Sequence, residues 1–281
     1  MLELVFVIVI LGIVASLGSE IIAKVYQSYI IQRATHRSTL KTELAALQIA
    51  NRLAYVIPNT AIGRKTDGTF ESLDNLSDNN YTILEWVGYD NDGLTLDNLP
   101  GWSGFVDVAS STKNNLVTPG SDIGRISAIM GNMDSTTTLA SCAIFFPNTY
   151  TPQNIGYNGN ASGVSRVSGK INATTFTLEP LVTGTPRVIK EHYKLAKSAY
   201  ALVPEVQPNN GLWTLNLHYN YQPWNGLQYD NSATKKVALI KNVSVFQFSG
   251  SENSIRFKIC QQEWISDTSK ITTCKEKAVI R

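Results

Sequence analysis

The feature that most constrains this chain is a nearly unbroken apolar run close to its N-terminus. Residues 4–17 are apolar except for Gly12 and Ser16, and the next charged side chain is Glu20. With Ile21 and Ile22 beyond it, and a helical rise of about 1.5 Å per residue, the run reaches most of the way across a hydrocarbon layer about 30 Å thick. The sequence therefore predicts a membrane-spanning helix over about residues 1–22.

The helical pattern continues well past the apolar run. No proline precedes Pro58, and no glycine lies between Gly18 and Gly63, so a helix of about 50 residues, roughly 80 Å long, is uninterrupted. We therefore predict a stalk over residues 1–57, which Pro58 ends. Its second half is amphipathic, with an apolar stripe that is expected to pack on a sheet: Ile22, Val25, Tyr26, Tyr29, Ile30, Leu40, Leu44, Leu47 and Ala54, with Ile49 and Leu53 beside it.

After Pro58 the sequence changes to short β-rich runs between Asn, Gly, Ser, Thr and Pro. This pattern predicts an α+β fold, in which the long N-terminal α-helix is followed by an antiparallel β-sheet head over residues 58–281. Asp122 is predicted to cap a short helix through Met130. Strands are predicted near residues 83–88, 104–108, 139–146, 174–180, 199–203, 213–221, 243–248, 255–260 and 271–280, with hairpins after 213–221 and between 243–248 and 255–260.

Composition excludes several classes of protein. The chain of 281 residues is 43% hydrophobic and only 16% charged, so it is neither disordered nor highly charged. A formal net charge of +2 gives no case by itself for a nucleic-acid partner. Residues 58–140 hold four basic and eleven acidic side chains, whereas residues 141–281 hold fifteen basic and eight acidic ones. Two lobes with different neighbours, or the solvated faces of one domain, both produce this asymmetry.

The charges beside the apolar run are unusual for a membrane signal. Glu3 precedes the run without any Lys or Arg, although positive charge normally marks the cytoplasmic flank. Glu3 either compensates the helix dipole or meets a cation from another chain. Either the topology is inverted or basic residues upstream of Met1 are missing. The basic side chains all follow the run: Lys24, Arg33, Arg37 and Lys41, together with His36.

The N-terminal sequence MLELVFVIVILGI resembles the start of a mature type IV pilin or type II secretion pseudopilin. Mature members of that superfamily begin Phe-Thr-Leu-Ile/Leu-Glu and continue as an apolar helix with a glycine at this spacing. In that register Met1 takes the place of the third mature residue. The resemblance therefore implies a precursor with a short basic leader that ends in Gly, followed by Phe-Thr, which a prepilin peptidase would cleave before N-terminal methylation.

The resemblance also assigns roles in assembly to particular residues. Glu3 matches the glutamate thought to neutralise the methylated N-terminal amine of a neighbouring subunit. Gly12 matches the position after which the helix of many major pilins loosens in the fibre. Glu20 stands where those pilins often carry a kinking proline, which is a departure commoner in minor pilins. The implied partners are other pilins or pseudopilins in a helical filament, and the inner membrane before assembly.

A weaker resemblance concerns the C-terminal part of the chain. The paired patterns VSVFQF and IRFKI near residues 243–259 are similar to those of J-type minor pseudopilins and W-type minor pilins. The implied protein is a non-enzymatic filament subunit. Its single helix crosses the bacterial inner membrane with the N-terminus in the cytoplasm, and its head lies in the periplasm or outside the cell.

The three cysteines form no C-x-x-C pair, which argues against zinc-ribbon and thioredoxin-like sites. Cys260 and Cys274 lie on successive predicted strands, with thirteen residues between them. In an oxidising compartment they are predicted to form a disulfide that staples the terminal hairpin. Cys142 lies in an apolar run and is predicted to be a buried free thiol.

Motifs for metals, cofactors and catalysis are weak, and no cofactor is predicted. Asp90 to Gly93 invites a calcium interpretation, but an EF-type loop needs acids where Gly88 and Leu99 stand. These residues therefore favour a turn. A looser calcium site that also uses Glu85 and Asp97 is the alternative. Phosphate-loop and G-x-S-x-G patterns fail, and His36, His192 and His218 lack the neighbours of a catalytic triad.

A second functional hypothesis is capture of DNA by a minor pilin of an uptake filament. It requires a basic stripe with interleaved aromatic side chains. Alternation along a strand puts Arg256 and Lys258 on one sheet face, which is equally typical of a solvated face. The stripe could be built from Lys235, Lys236, Lys241, Arg256, Lys258, Lys275 and Lys277, with Trp264.

Overall fold

A single helix, α1 (Leu2–Leu53), forms the N-terminal fifth of the chain and is continuous over its 52 residues. The computed structural model describes residues 2–78, 80–94, 99–180, 187–208, 210–251, 253–266 and 269–280. The helix passes through Gly12 and Gly18 without a break and ends five residues before Pro58. Asn59 has a φ of 60°, so the chain reverses here in the left-handed conformation that asparagine tolerates. The predicted long helix is confirmed.

The head is a large antiparallel sheet, so the α+β architecture is also confirmed. Its strands run in the order β12-β11-β10-β9-β8-β5-β6-β7-β4, and β3, β1 and β2 branch from β8. Their bounds are β1 Ile62–Arg64, β2 Phe70–Ser72, β3 Ile83–Tyr89, β4 Asn115–Val117, β5 Ala143–Phe145, β6 Ser165–Asn172, β7 Thr175–Leu178, β8 Lys194–Val206, β9 Trp213–Tyr221, β10 Lys235–Ser251, β11 Ser254–Trp264 and β12 Lys270–Ile280.

The helix lies mainly against β11 and β12, at one edge of the sheet. A core cluster joins Ile49 and Leu53 of α1 to Trp86, Phe246 and Phe257 of the sheet. Two further clusters fill the rest of the head, around Trp102 and Phe176 in one case and Phe145 and Trp224 in the other. The head therefore has a core of its own, to which the helix contributes only its C-terminal turns.

Several sequence-based boundaries are wrong for identifiable reasons. The strand predicted at 104–108 is only an isolated bridge between Phe105 and His192, because Gly104 adopts a φ of +77°. The strand predicted at 139–146 begins as a 3₁₀ turn (Leu139–Ser141) that Thr138 caps, and only Ala143–Phe145 is extended. Strands β1, β2, β4 and β6 were not predicted, because they are short or lack period-two alternation.

The second helix and the order of the terminal hairpins follow the prediction, but β10 begins at Lys235, eight residues before the predicted strand, and extends to Ser251. Helix α2 (Ile123–Met133) starts at Asp122, whose carboxylate accepts a hydrogen bond from the backbone N–H of Arg125. Ser251 at the end of β10 pairs with Ser254 at the start of β11. Cys260 and Cys274 face each other on β11 and β12 and form the predicted disulfide. Cys142 is a buried free thiol, as predicted.

A buried ion pair lies where β1 meets β3. Arg64 donates a 2.8 Å hydrogen bond through Nε to the carboxylate of Glu85, and the Tyr221 hydroxyl donates to the same carboxylate at 2.9 Å. Glu85 is fully buried, and the rings of Phe70 and Tyr157 lie beside the Arg64 guanidinium. Glu85 is therefore committed to the core, which removes it from the calcium site left open by the sequence.

Candidate functional site

The N-terminal part of α1 projects beyond the head. No described side chain between residues 3 and 37 is buried, and the first buried residue of the helix is Ser38. We call residues 3–37 the free segment and residues 38–53 the packed segment. The helix is long and apolar enough to cross a membrane, and its most apolar window has a mean hydropathy of 2.5 with none of it covered by the head. The free segment is the largest uncovered apolar surface of the described chain.

Glu3 lies in the first turn of α1, at the far end of the free segment. Its carboxylate is exposed and has no ion-pair partner among the described residues. A carboxylate in this position interacts favourably with the unpaired N–H groups of the first turn. Any stronger compensation of its charge has to come from outside the described chain.

Gly12 and Glu20 are the two positions on α1 to which the resemblance gave a meaning for the shape of the helix. A methyl group added at Gly12 would meet nothing within 4 Å, so the fold of the single chain does not require glycine there. Glu20 pairs with Lys24 one turn later at 2.6 Å, within an unbroken helix. Glu20 therefore supports the helix through a local ion pair.

The packed segment turns one narrow face toward the sheet. Its buried residues recur at helical spacing and include small polar side chains near the start of the contact. Ser38 donates a 3.0 Å hydrogen bond to the side chain of Gln261 on β11. The small side chains allow close approach of the helix to the sheet, and the larger ones fill the core further on. The members of this face are Ser38, Thr42, Ala45, Ala46, Ile49 and Leu53.

The apolar stripe predicted to meet the sheet instead faces outward. Leu40, Leu44 and Leu47 are 49%, 59% and 40% exposed, whereas Ile49 and Leu53, placed beside that stripe, are the buried residues. At about 100° per residue, the three leucines lie opposite the buried face of the helix. The periodicity correctly predicted a helix here, but it did not determine which of the two apolar faces of that helix packs on the head.

Ion pairs fasten the packed segment on both flanks. On one side Glu43 accepts from Lys275 and Lys277 of β12, at 2.7 and 2.9 Å. On the other side Glu263 of β11 pairs with Lys41 at 3.2 Å and Arg37 at 3.7 Å. Because these side chains are partly exposed, each pair adds little free energy. Their positions on opposite flanks fix the rotation of the helix on the sheet.

The structure divides the cations predicted to contact DNA between different surfaces. Lys275 and Lys277 pair in the sheet with Ile259 and Phe257, whose buried side chains face α1. Paired residues of antiparallel strands point to the same side, so these lysines lie on the helix side. Arg256 and Lys258 alternate with the buried residues of β11 and therefore lie on the opposite face.

The remaining cations of that set lie on β10, and two of them have acidic partners. Lys236 pairs with Glu205 at 3.2 Å. The Lys235 ammonium hydrogen-bonds to Asp134 and lowers the pKa of that carboxyl group to about 2. Lys241 is exposed on the same strand. The seven predicted cations, all of them described, do not share one face: by alternation Trp264 lies with Arg256 and Lys258, while Lys275 and Lys277 lie on the helix side. DNA binding stays a prediction that this arrangement does not favour.

The Asp90 to Gly93 turn is organised by a lysine. The Lys197 ammonium lies 2.8 Å from Asp90 and 2.6 Å from Asp92, where a metal ion would otherwise have to bind. Asp97 lies outside the described residues. No group of three or more His, Cys, Asp or Glu side chains that could hold a metal occurs in the described part of the chain.

The histidines have structural surroundings. His36 is exposed on α1, and the His192 ring lies against the Phe105 ring in a tilted arrangement, with centroids 4.6 Å apart. His218 is buried, and its Nδ1 lies 2.7 Å from the backbone oxygen of Tyr229. Sequence reasoning missed the outward leucine face and the role of Glu263, because both depend on how the helix is rotated on the sheet.

No protein-family model, curated protein or solved structure matches the chain.

Proposed function

We propose that this chain is a structural subunit of a pilin-like filament, a minor pilin or pseudopilin, which assembles through α1. The observation that carries the proposal is the free segment. Eleven large apolar side chains between residues 4 and 17 are each more than half exposed. At about 1.5–3 kcal/mol for each such side chain, leaving them in water costs on the order of 20 kcal/mol. The free segment therefore requires lipid or other apolar helices around it.

Before assembly, the first part of the free segment, up to about Ile22, spans the inner membrane with Glu3 toward the cytoplasm. The disulfide between Cys260 and Cys274 supports export of the head, because such bonds persist mainly in oxidising compartments. A prepilin peptidase would process the N-terminal side of a longer precursor. The chain has a structural rather than a catalytic role, in which the head presents its surface and the helix makes the filament core.

During assembly, helix–helix contacts replace lipid contacts. Apolar burial does not change in that exchange, so packing and polar pairing determine the outcome. Glu3 supplies one half of the polar pair, because its uncompensated carboxylate attracts the N-terminal amine of a neighbouring subunit. In a low-dielectric surrounding a charge without its partner is strongly unfavourable. Incorporation of a subunit then depends on the pair being formed.

The outward leucines extend this contact surface beyond the membrane segment. Leu40, Leu44 and Leu47 continue the apolar character of α1 alongside the head, on the side that the head leaves uncovered. A neighbouring stalk helix that packs against the free segment can therefore continue along the packed segment.

The test is substitution of Glu3 in the full-length precursor. We expect Glu3→Ala to insert into the membrane normally and to be lost from sheared filaments by at least about tenfold, since removal of a buried ion-pair partner costs about 3–5 kcal/mol. Membrane fractionation and immunoblotting of the filament fraction measure the two steps separately.

Glu20→Ala is the matched control, because Glu20 lies on the same helix and already has an internal partner in Lys24. It should assemble as the wild type does. Normal incorporation of Glu3→Ala into filaments would refute the proposed role of this carboxylate.

A further inference from the structure

The basic flank that follows the membrane segment meets one end of the head. Arg33, Arg37 and Lys41 lie on α1, and Glu263 of β11 pairs with the last two. One residue beyond Glu263, Trp264 is 48% exposed, and the ammonium of Lys270 lies 5.7 Å from its ring centroid. We call Arg33, Arg37, Lys41, Trp264 and Lys270 the rim. These residues share a level along α1 and not one face: the three on α1 lie on the helix side of the sheet, and by alternation Trp264 and its strand partner Lys270 lie on the other side.

The contacts between α1 and β11 fix the direction in which the rim points. Gln261 lies beside Ser38, and Trp264 is three residues further along β11. On the other side of the contact, Glu43 meets Lys275 and Lys277, further along β12 from Lys270. Because a strand advances about 3.3 Å per residue, Trp264 lies about 10 Å closer than Ser38 to the N-terminus of the helix. The rim is therefore the membrane-facing end of the head.

The distance from the rim to the bilayer is short. If the hydrocarbon layer ends near Ile22, the level of Trp264 lies about 15 Å above it, and headgroups occupy roughly 5–8 Å of that gap. If the helix tilts by about 20° toward the sheet, Trp264, about 10 Å from the helix axis, comes a further 3–4 Å closer to the membrane. The remaining separation is less than a Debye length of about 8 Å. Charge on the rim therefore acts on the lipid headgroups.

The charge of the rim has the sign that an anionic bilayer attracts. The rim has four cations, and the acidic residues near it in the sequence are Glu263 and Asp267. Asp267 lies outside the described residues. Arg33 and Lys270 have no acidic partner among the described residues. An exposed Trp next to Lys is typical of side chains that sit at headgroup level.

We propose that the rim binds anionic phospholipid headgroups on the exported side of the membrane and holds the head against the bilayer before assembly. The proposal rests on the membrane anchorage in the proposed function, but not on filament formation. It accounts for the basic side chains on the flank where the positive-inside rule does not expect them, because there they interact with lipid as part of the folded head.

The experiment uses the full chain reconstituted in vesicles of phosphatidylcholine, alone or mixed with phosphatidylglycerol. A nitroxide attached to the lipid headgroup quenches nearby indoles, and the difference between wild type and Trp264→Phe isolates the signal of Trp264. We expect headgroup quenching to increase about twofold to fivefold with the anionic lipid and to fall again at high salt. A nitroxide deep in the acyl chains should not quench Trp264.

The double variant Arg33→Gln/Lys270→Gln should lose this increase. Lys258→Gln is its matched control, since Lys258 lies on the same strand and the same sheet face as Trp264 but six residues, about 20 Å, away from the rim, and it should behave as the wild type. Equal quenching in both lipids, or an unchanged increase in the double variant, would overturn the proposal. Failure of the chain to insert into either vesicle would overturn it too.

Glu3→Ala separates this proposal from the proposed function. Under both proposals the variant is absent from filaments yet keeps the lipid-dependent quenching. If it assembles normally while the quenching persists, filament assembly through Glu3 is wrong and the lipid contact stands.

Discussion

At the scale of single residues, the head depends on a few buried polar groups that must find partners. Arg64 and Glu85 are both almost fully inaccessible, and Tyr221 satisfies the second carboxylate oxygen. Burying two charges is costly, and the cost is offset only while every member of the group is present. This cluster fixes how β1, β3 and β9 meet.

We expect Glu85→Ala to destabilise the full chain by about 3–5 kcal/mol, because the Arg64 guanidinium would be left buried without its acid. Urea unfolding in detergent, followed by tryptophan fluorescence, measures the change. Glu205→Ala removes an acid that is 45% exposed and pairs with Lys236, and it should cost less than about 1 kcal/mol. Similar losses in the two variants would contradict this account of the cluster.

At the scale of elements, α1 has two apolar faces with different surroundings. Ile49 is buried against the sheet, whereas Leu44 is exposed on the opposite side. A substitution on the first face should affect folding, and a substitution on the second should affect association. The two effects are separable because the faces lie on opposite sides of the helix.

Ile49→Ala is expected to lower the free energy of unfolding by about 2–5 kcal/mol, since it opens a cavity in the core. Leu44→Ala should change it by less than about 0.5 kcal/mol, as for other surface sites, yet reduce incorporation into filaments. Thermal unfolding and filament yield report the two properties. The account of the faces fails if Leu44→Ala unfolds as readily as Ile49→Ala.

The disulfide joins the last two strands at the edge of the sheet, where α1 also packs. Cys260 and Cys274 close a loop of thirteen intervening residues, so reduction should lower stability by about 3 kcal/mol. Unfolding with and without reductant measures this contribution. The Cys260→Ser/Cys274→Ser variant should no longer respond to reductant, because the remaining Cys142 is a free thiol. No effect of reductant on the wild type would contradict the stabilising role.

Elements with strong local signals were predictable from the sequence. The apolar run, the Pro-free stretch and Asp122 predicted α1 and α2, and alternation predicted β9. The rotation of α1 was not predictable, because the buried face contains Ser38, Thr42 and Ala45 while the exposed face contains leucines. The sequence also could not predict on which side of the sheet each basic residue lies, because this depends on the register of β11 with β12.

At the scale of the whole molecule, the chain is a rod with a sheet attached along its last turns. The head covers only the packed segment, and the free segment and the outward leucines stay uncovered. With the membrane placed as proposed, lipid would cover the apolar part of the free segment, but Leu40, Leu44 and Leu47 would lie above the bilayer beside the head. A neighbouring helix would cover both surfaces at once, which is why we propose a filament and not a membrane-anchored monomer.

Photo-cross-linking from position 44 tests this claim most directly. With a photoreactive amino acid in place of Leu44, we expect cross-links to the N-terminal helix of another subunit in cells that assemble filaments. The same probe in the Glu3→Ala chain should give no such product, although the protein still reaches the membrane. Absence of a subunit cross-link from assembling cells, or an equal yield in the Glu3→Ala chain, would contradict assembly through α1.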